Sequence, residues 1–245
     1  KTESLSELGA GIQLSPNANK VLQYLGVMEE LQADVYEPEA FQFVHYRTGK
    51  VLAQQALKNS SVKIYGSPNY DIHRADLQKA LLKIINKQEI QIEKNSEILD
   101  IYEEANSAFI KTKKRVIRSD VVIGADGIHS TIRKHILDDG KPIYRGYNIW
   151  RGVVKTEFDI GYASETYGKG KRVGIVPIKD GVYGWWATCN EDFLENDEPE
   201  GSKQKLKRLF GNFHHPIPEL IENTEEILKN SLSDRIPQKG WTKGN

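Results

Sequence analysis

A chain of 245 residues with 34 Lys+Arg against 34 Asp+Glu carries no formal net charge, which argues against a general nucleic-acid binder, since that role needs excess positive charge. Apolar residues at 38% and charged residues at 28% exclude a disordered polyelectrolyte, and the length suffices for the core of one or two domains. The single cysteine, Cys189, excludes an internal disulfide and a Cys-rich zinc site and favours a reducing, cytoplasmic compartment; no apolar run reaches about 18 residues, so no segment reads as an integral membrane span.

Residues 1–11 are polar, then glycine-rich, and read as a loop. Ala18, Val21, Leu22, Leu25, Met28 and Leu31 recur at helical steps behind Ser15-Pro16-Asn17, which supplies cap chemistry. Residues 41–57 carry β-formers around Thr48-Gly49, the pattern of a hairpin. A second helix is expected over residues 74–86, with Leu77, Ala80, Leu81, Ile84 and Ile85 as its apolar side. Residues 90–119 alternate weakly and are interrupted at Glu103-Glu104-Ala105-Asn106, which predicts two or three short strands. Val121-Val122-Ile123 then reads as a buried parallel strand, turning at Gly124-Ala125-Asp126-Gly127 into a helix over residues 130–137. From Tyr144 onward Val, Ile, Tyr and Trp with regular glycines predict an antiparallel sheet, followed by one helix over residues 203–213 and a loop-like tail from Ser231. The fold class is α+β, nucleotide-fold pieces followed by a sheet-rich domain.

The chemistry concentrates in Val121-Val122-Ile123-Gly124-Ala125-Asp126-Gly127-Ile128-His129-Ser130-Thr131-Ile132-Arg133. A strand delivering Asp126 to a turn, Gly127 permitting close backbone approach, and Ser130 and Arg133 on one side of a helix start would suit a pyrophosphate. Spacing alone equally describes an ordinary strand-turn-helix with an Asx-capped start.

This segment resembles the Asp-Gly fingerprint of the FAD-dependent aromatic monooxygenases, the single-component flavoprotein hydroxylases, with Asp126, Gly127, Ser130 and Arg133 on the fingerprint. Two further segments are similar to that family in the same order. Gly9-Ala10-Gly11-Ile12-Gln13-Leu14-Ser15-Pro16-Asn17-Ala18 resembles a loop passing the flavin, which implies a contact from Gln13 to FAD. His73-Arg74-Ala75-Asp76-Leu77 resembles the start of a cofactor-flanking helix, which implies Arg74 near the FAD pyrophosphate; the alternative is a surface Arg paired with Asp71 or Asp76. Ile98 matches a position bordering the adenine, or is simply core.

Tyr144-Arg145-Gly146-Tyr147, Trp150-Arg151-Gly152, Gly170-Lys171-Arg172-Val173 and Trp185-Trp186-Ala187-Thr188 resemble the substrate-covering sheet of the salicylate-hydroxylase-like and urate-hydroxylase-like branches. The resemblance implies a substrate contact for Arg172, whose alternative is a surface residue of the basic run at residues 169–172. Trp185 and Trp186 are consecutive in a strand, so one faces the substrate and the other the opposite side, or both are core or rim aromatics. Ile149 and Gly184 depart from the urate branch, which has a polar amide and a Tyr there, and make urate itself an unexpected substrate.

The implied activity is that of an FAD-dependent monooxygenase using NADH or NADPH and O2 to hydroxylate a small aromatic or conjugated compound through a flavin hydroperoxide, with no protein nucleophile or base required. Alternatives are a flavin-dependent epoxidase of the same fold or a catalytically silent piece unable to hold FAD. The resemblance divides the chain into residues 1–35 and 70–140 as parts of a discontinuous FAD-binding domain, residues 36–69 and 141–235 as the substrate domain, and residues 236–245 as a lead-in to further FAD domain. The family's Gly-x-Gly-x-x-Gly turn and Gly-Asp motif are absent and the chain opens at Lys1, so the expectation is an internal segment of a longer flavoenzyme. His214-His215 have no carboxylate at metal spacing, Gly-x-Ser-x-Gly does not occur, and the basic residues 111–118 lack interleaved aromatics, which removes zinc, hydrolase and nucleic-acid readings.

Overall fold

The computed structural model describes residues 10–193 and 201–244. In chain order the elements are β1 (Gly11–Leu14), α1 (Pro16–Tyr24), α2 (Met28–Leu31), β2 (Ala40–His45), β3 (Val51–Ala56), α3 (Ser60–Tyr65), β4 (Tyr70–His73) and α4 (Arg74–Lys87). They continue with β5 (Ile98–Glu104), β6 (Ser107–Thr112), β7 (Val116–Ser119), α5 (Thr131–Leu137), β8 (Ile143–Lys155), β9 (Ala163–Gly168), β10 (Lys171–Lys179), β11 (Val182–Asn190), α6 (Gly201–Phe210), α7 (Ile217–Asn223) and β12 (Leu228–Asp234). Of the described residues, one compact unit holds 92–145 and 232–244, and the other holds 10–91, 146–193 and 201–231.

The larger unit is built on a seven-stranded sheet in the order β12-β8-β11-β10-β9-β2-β3, which β8 and β12 enter with residues 146–155 and 228–231. All pairings given by register are antiparallel except β2 with β9, which is parallel. The period-2 alternation of these strands separates two faces. On one, Trp150, Val173, Ile175, Tyr183, Trp185 and Ala187 form a core with Leu206, Phe210, Ile217, Leu220 and Ile221 of α6 and α7. The other face presents Arg151, Trp186, Arg172, Glu165 and Phe43, as their registers require.

A second core in the same unit joins Leu14 of β1, Ile72 of β4, Ala80 of α4 and Val27 and Leu31 around α2. It explains the first helical pattern, whose apolar steps end at Leu31. α1 begins with Pro16 at its first position, where a missing N–H costs nothing. β1 and β4 pair antiparallel, with Gln13 opposite Asp71. The side of this pair that carries Gly11 lies against β10 and β11: a Cβ on Gly11 would meet Ile178 Cδ1 at 3.4 Å and Gly184 Cα at 3.5 Å.

The smaller unit contains the meander β5-β6-β7, in which Tyr102 and Phe109 are directly opposed and stack at 5.1 Å. Of the two or three short strands expected over residues 90–119, three form. The strand expected at Val121-Val122-Ile123 is not formed: residues 121–126 belong to no strand, and Val121 and Ile123 are 63% and 85% exposed. A continuous apolar run becomes a buried strand only with neighbours on both edges and cover on both faces, and no described strand pairs with it. The helix after it does form. β1, α3, β4 and α7 were not expected from the sequence, nor was β12, whose residues 231–234 fall in the tail read as loop.

Candidate functional site

The Asp126 turn is built by side-chain capping. Asp126 Oδ2 accepts from the backbone N–H of Thr131 (2.7 Å) and Ile132 (3.2 Å), its Oδ1 accepts from the Ser130 hydroxyl, and Ser130 Oγ accepts from Arg133 N at 2.8 Å. Burial pushes the Asp126 carboxyl up, but the Ser130 hydroxyl and the amides of Ile132 and Thr131 outweigh it and hold its pKa below the ordinary value. Gly127 sits at φ +79°, which favours glycine, and a Cβ there would meet nothing within 4 Å. Gly124 is closed by contrast: a Cβ would lie 2.6 Å from Ile132 Cγ2, so glycine lets the turn pack on α5.

This geometry alters the reading of the helix start. The amides of residues 131–133 are already taken by Asp126 and Ser130, so they are not open to a phosphate. Arg133 is likewise engaged: its Nε donates to Asp139 Oδ2 at 2.9 Å, its Nη2 also contacts Asp139, and Arg235 Nη1 joins the same carboxylate at 3.1 Å. Asp139, pulled below the usual carboxylate range chiefly by Arg133, ties α5 to the chain after β12 within this unit. Ile98 opens β5 opposite Thr112 and is half-buried.

In the larger unit, Arg74 opens α4, with its backbone N–H donating to Ala10 O at 3.0 Å. Of the acids offered as its alternative partners, Asp76 is engaged by Lys79 (3.1 Å) and Lys179 (3.5 Å), and neither carboxylate oxygen of Asp71 has a hydrogen-bond partner. Asp71 is 1% exposed, and burial pushes its pKa up to about 8, with the Gln13 side chain across the ladder acting weakly in the opposite direction. Burial therefore favours its protonated, neutral form at pH 7. Arg151 was not singled out for a role by sequence; it is half-buried, and its pKa is lowered first by burial and then by the charge of Arg74.

This set suits the pyrophosphate of FAD. Burial and the Arg74 charge both disfavour the charged form of Arg151, an anion there would relieve both, and for Asp71, on the strand leading to Arg74, burial favours the neutral form.

The two consecutive tryptophans divide as alternation requires. Trp185 is 3% exposed on the α6–α7 face and donates its indole N–H to Thr224 Oγ1 at 2.8 Å, so it is a packing residue and its expected substrate contact is withdrawn. Trp186 lies on the opposite face, folded over Gly174 so closely that a Cβ there would fall 2.3 Å from its ring. The Arg172 guanidinium stands 5.8 Å from the Trp186 ring centroid and donates to Glu165 Oε1 at 3.1 Å. Tyr167 stands beside them; burial first and Glu165 second raise its pKa, and its ring is 5.9 Å from Phe43. Arg172 is thus a partly exposed cation opposed by Glu165 and not an isolated member of a basic run. Glu165 was missed, although a hairpin centred on Lys169-Gly170 sets it diagonal to Arg172.

Two clefts in this unit lie away from these residues: one of about 420 Å³ against Leu206, Lys207, Gly211 and Pro218, and one of about 270 Å³ beside His214, Thr48 and Ser164. The first is apolar groove between α6 and α7, and the second lines the opposite side of the sheet from Trp186, so neither brings together the charged and aromatic groups.

An α+β chain with this sheet and this β1–α4 arrangement has the fold of the flavoprotein hydroxylases. It superposes on Klebsiella pneumoniae HpxO, solved with FAD and uric acid, with a TM-score of 0.84 at 22% identity over 98% of this chain and 63% of that one. A salicylate hydroxylase substrate complex gives 0.77 at 19% identity, over 96% and 63%. The chain belongs to the FAD binding domain family, whose model matches residues 1–178. Among curated relatives it is 30% identical to the Aurachin C monooxygenase/isomerase of Stigmatella aurantiaca, over 100% of this chain and 64% of that protein. It is 28% identical to the 3-amino-4-hydroxybenzoate 2-monooxygenase of Streptomyces cremeus, over 96% and 60%. The chain thus spans less than two thirds of these relatives' length.

Proposed function

We propose that the protein is an FAD-dependent monooxygenase that uses NADH or NADPH and O2 to hydroxylate a small aromatic or conjugated substrate. One observation carries the reading: the β1–β4 pair, bearing Gln13 and leading into Arg74, packs through Gly11 on Gly184, and the same sheet face continues to Trp186, Arg172 and Glu165. A family member with an anion-suited end and an aromatic, charged end on one face has the parts that hold a dinucleotide beside an aromatic compound. The monooxygenase names of the relatives support the same class.

In this reading Gln13, Arg74 and Arg151 of the larger unit hold the cofactor's anionic part, and the resemblance alone implies a nucleotide contact for the Asp126–Gly127 turn, a backbone surface fixed by the Ser130 cap. Ile98 adds an apolar border. Residues 1–35 and 70–140 supply the FAD-binding parts, and residues 36–69 and 141–235 the substrate side. FAD supplies the redox and oxygen-transfer chemistry. The chain's own residues bind, orient and exclude water: Trp186 offers a π-face for stacking, and Arg172 with Glu165 fixes the substrate's polar edge.

The test is the complete natural protein purified with FAD. A bound-flavin spectrum, with NADH or NADPH oxidation stimulated by an aromatic compound and 18O appearing in the product from 18O2, is the expected result. Absence of flavin binding, or no stimulation by any phenol, benzoate or heteroaromatic, refutes the proposal.

A further inference from the structure

The Glu165–Arg172 pair points to a substrate class, and this rests on the Trp186 face being the substrate side. We propose that the pair selects an uncharged aromatic with an adjacent N–H donor and C=O acceptor, such as a lactam or carboxamide, and rejects a substrate that presents a carboxylate there.

An arginine that captures a carboxylate keeps its bidentate fork free for it. Here one arm of the Arg172 fork is spent on Glu165 Oε1 at 3.1 Å, and Glu165, at 15% side-chain exposure, is held more deeply than Arg172 at 41%. The pair's net charge is zero, and a second carboxylate brought to it would meet the Glu165 charge at short range. Its hydrogen-bonding capacity is not exhausted. A guanidinium has five N–H donors and a carboxylate about four acceptor positions, so after the bond between them each retains capacity. Tyr167, whose hydroxyl engages both Glu165 and Arg172 and whose pKa is raised, stays protonated, accepts from Arg172 and donates to Glu165, so Arg172 keeps three of its five N–H donors and Glu165 about two acceptor positions. The pair therefore presents an acceptor beside a donor, the complement of an amide edge.

Trp186 makes the site aromatic-selective. Its ring is pinned over Gly174 and stands 5.8 Å from the Arg172 guanidinium, so it offers a fixed plane beside the polar edge. Arg151, another cation on this face, is directly opposite Trp186 in the ladder, and its charge also feels Arg74, the residue paired with it at the cofactor's anionic part in the proposed function.

The experiment compares 3-hydroxybenzamide with 3-hydroxybenzoate, which match in shape and differ in charge and donor. Dissociation constants are measured by calorimetry and tryptophan fluorescence on the complete natural protein loaded with FAD, without NAD(P)H, so the result does not depend on turnover. Wild type is expected to bind the amide at least tenfold tighter than the acid. Glu165→Gln, which removes the negative charge, should narrow that ratio at least tenfold, while Glu165→Asp should keep its direction. Equal binding, tighter binding of the acid, binding of neither, or an unchanged ratio in Glu165→Gln overturns the proposal. The wild-type comparison decides even if the variants do not fold. If neither compound stimulates NAD(P)H oxidation while the amide preference and its dependence on Glu165 hold, the specificity inference stands and the monooxygenase reading falls.

Discussion

The backbone of Gly184 in β11 rests on the backbone of Gly11 in β1: a Cβ added at Gly184 would lie 2.9 Å from Gly11 N and 3.0 Å from Gly11 Cα. Real side chains do not tolerate that approach to main-chain atoms, so any residue but glycine forces the β1–β4 pair off the sheet. The urate-hydroxylase-like branch has a Tyr at this position by resemblance, whereas here the approach to Gly11 leaves no room for a side chain. Gly184→Ala is expected to cost about 1–3 kcal/mol, the usual range for overpacking, read as a Tm lowered by about 2–10 °C for a chain of this size. Because β1 carries Gln13, the variant should also weaken FAD binding in a fluorescence titration; unchanged Tm and FAD affinity would show that β1 does not depend on this contact.

Asp126 anchors a seven-residue helix through two amides and the Ser130 hydroxyl. Asp126→Ala is expected to destabilise by about 1 kcal/mol, as removal of a cap does, and to lower FAD affinity by unfixing the turn. Asp126→Asn retains an acceptor and should keep most of both. Because the folded pKa is depressed, the stability contributed by the Asp126 charge is full above the unfolded value of about 3.9 and is lost as pH falls through the folded pKa. Urea melts at descending pH below that value should show Asp126→Asn losing less than wild type; identical losses would contradict the assignment.

Much of this was legible in the sequence because local rules decide it. The Thr48-Gly49 hairpin and the alternation of the Trp185-Trp186 strand survive in the fold, since each requires only near neighbours and one buried face, whereas the helical run from Ala18 to Leu31 is broken between Tyr24 and Met28, with Val21 and Leu25 exposed. The Val121–Ile123 run was misread because an apolar triplet does not reveal whether partner strands are present. Arg133 was expected to wait for a phosphate, but Asp139, only six residues away, and Arg235, far along the chain, build a local ion-pair cluster instead. Glu165 carried no motif, and its meaning comes only from the register that sets it beside Arg172.

Trp185 and Trp186 should separate cleanly by mutation. Trp185→Phe leaves Thr224 Oγ1 without the indole donor while keeping its own bond to Leu220 O at 2.6 Å, so a loss of about 1–2 kcal/mol is expected from the missing buried hydrogen bond. Ligand affinity should not change. Trp186→Leu should do the reverse, with little change in Tm and a weaker dissociation constant for any aromatic ligand. Calorimetric binding alongside thermal melts distinguishes them, and a Trp185→Phe variant with normal Tm but lost binding would restore that residue to the substrate side.

Asp71 makes the strongest pH prediction. Its carboxyl is buried with no charged partner among the described residues, and burial, opposed by the Gln13 side chain, raises its pKa to about 8. An acid whose folded pKa lies above its unfolded value of about 3.9 binds more protons folded than unfolded between the two values. Stability from this group is therefore full below the unfolded value, falls as pH rises by up to about 1.4 kcal/mol per unit, and levels off above the folded pKa. Asp71→Asn has nearly the same shape and no charge to bury, so it removes the slope. The difference in urea midpoint between Asp71→Asn and wild type should grow steadily from pH 5 to about 8, with the variant more stable at neutral pH, and then remain constant. A difference that does not vary with pH over this range would mean that Asp71 is already ionised in the fold and that a counter-charge holds it.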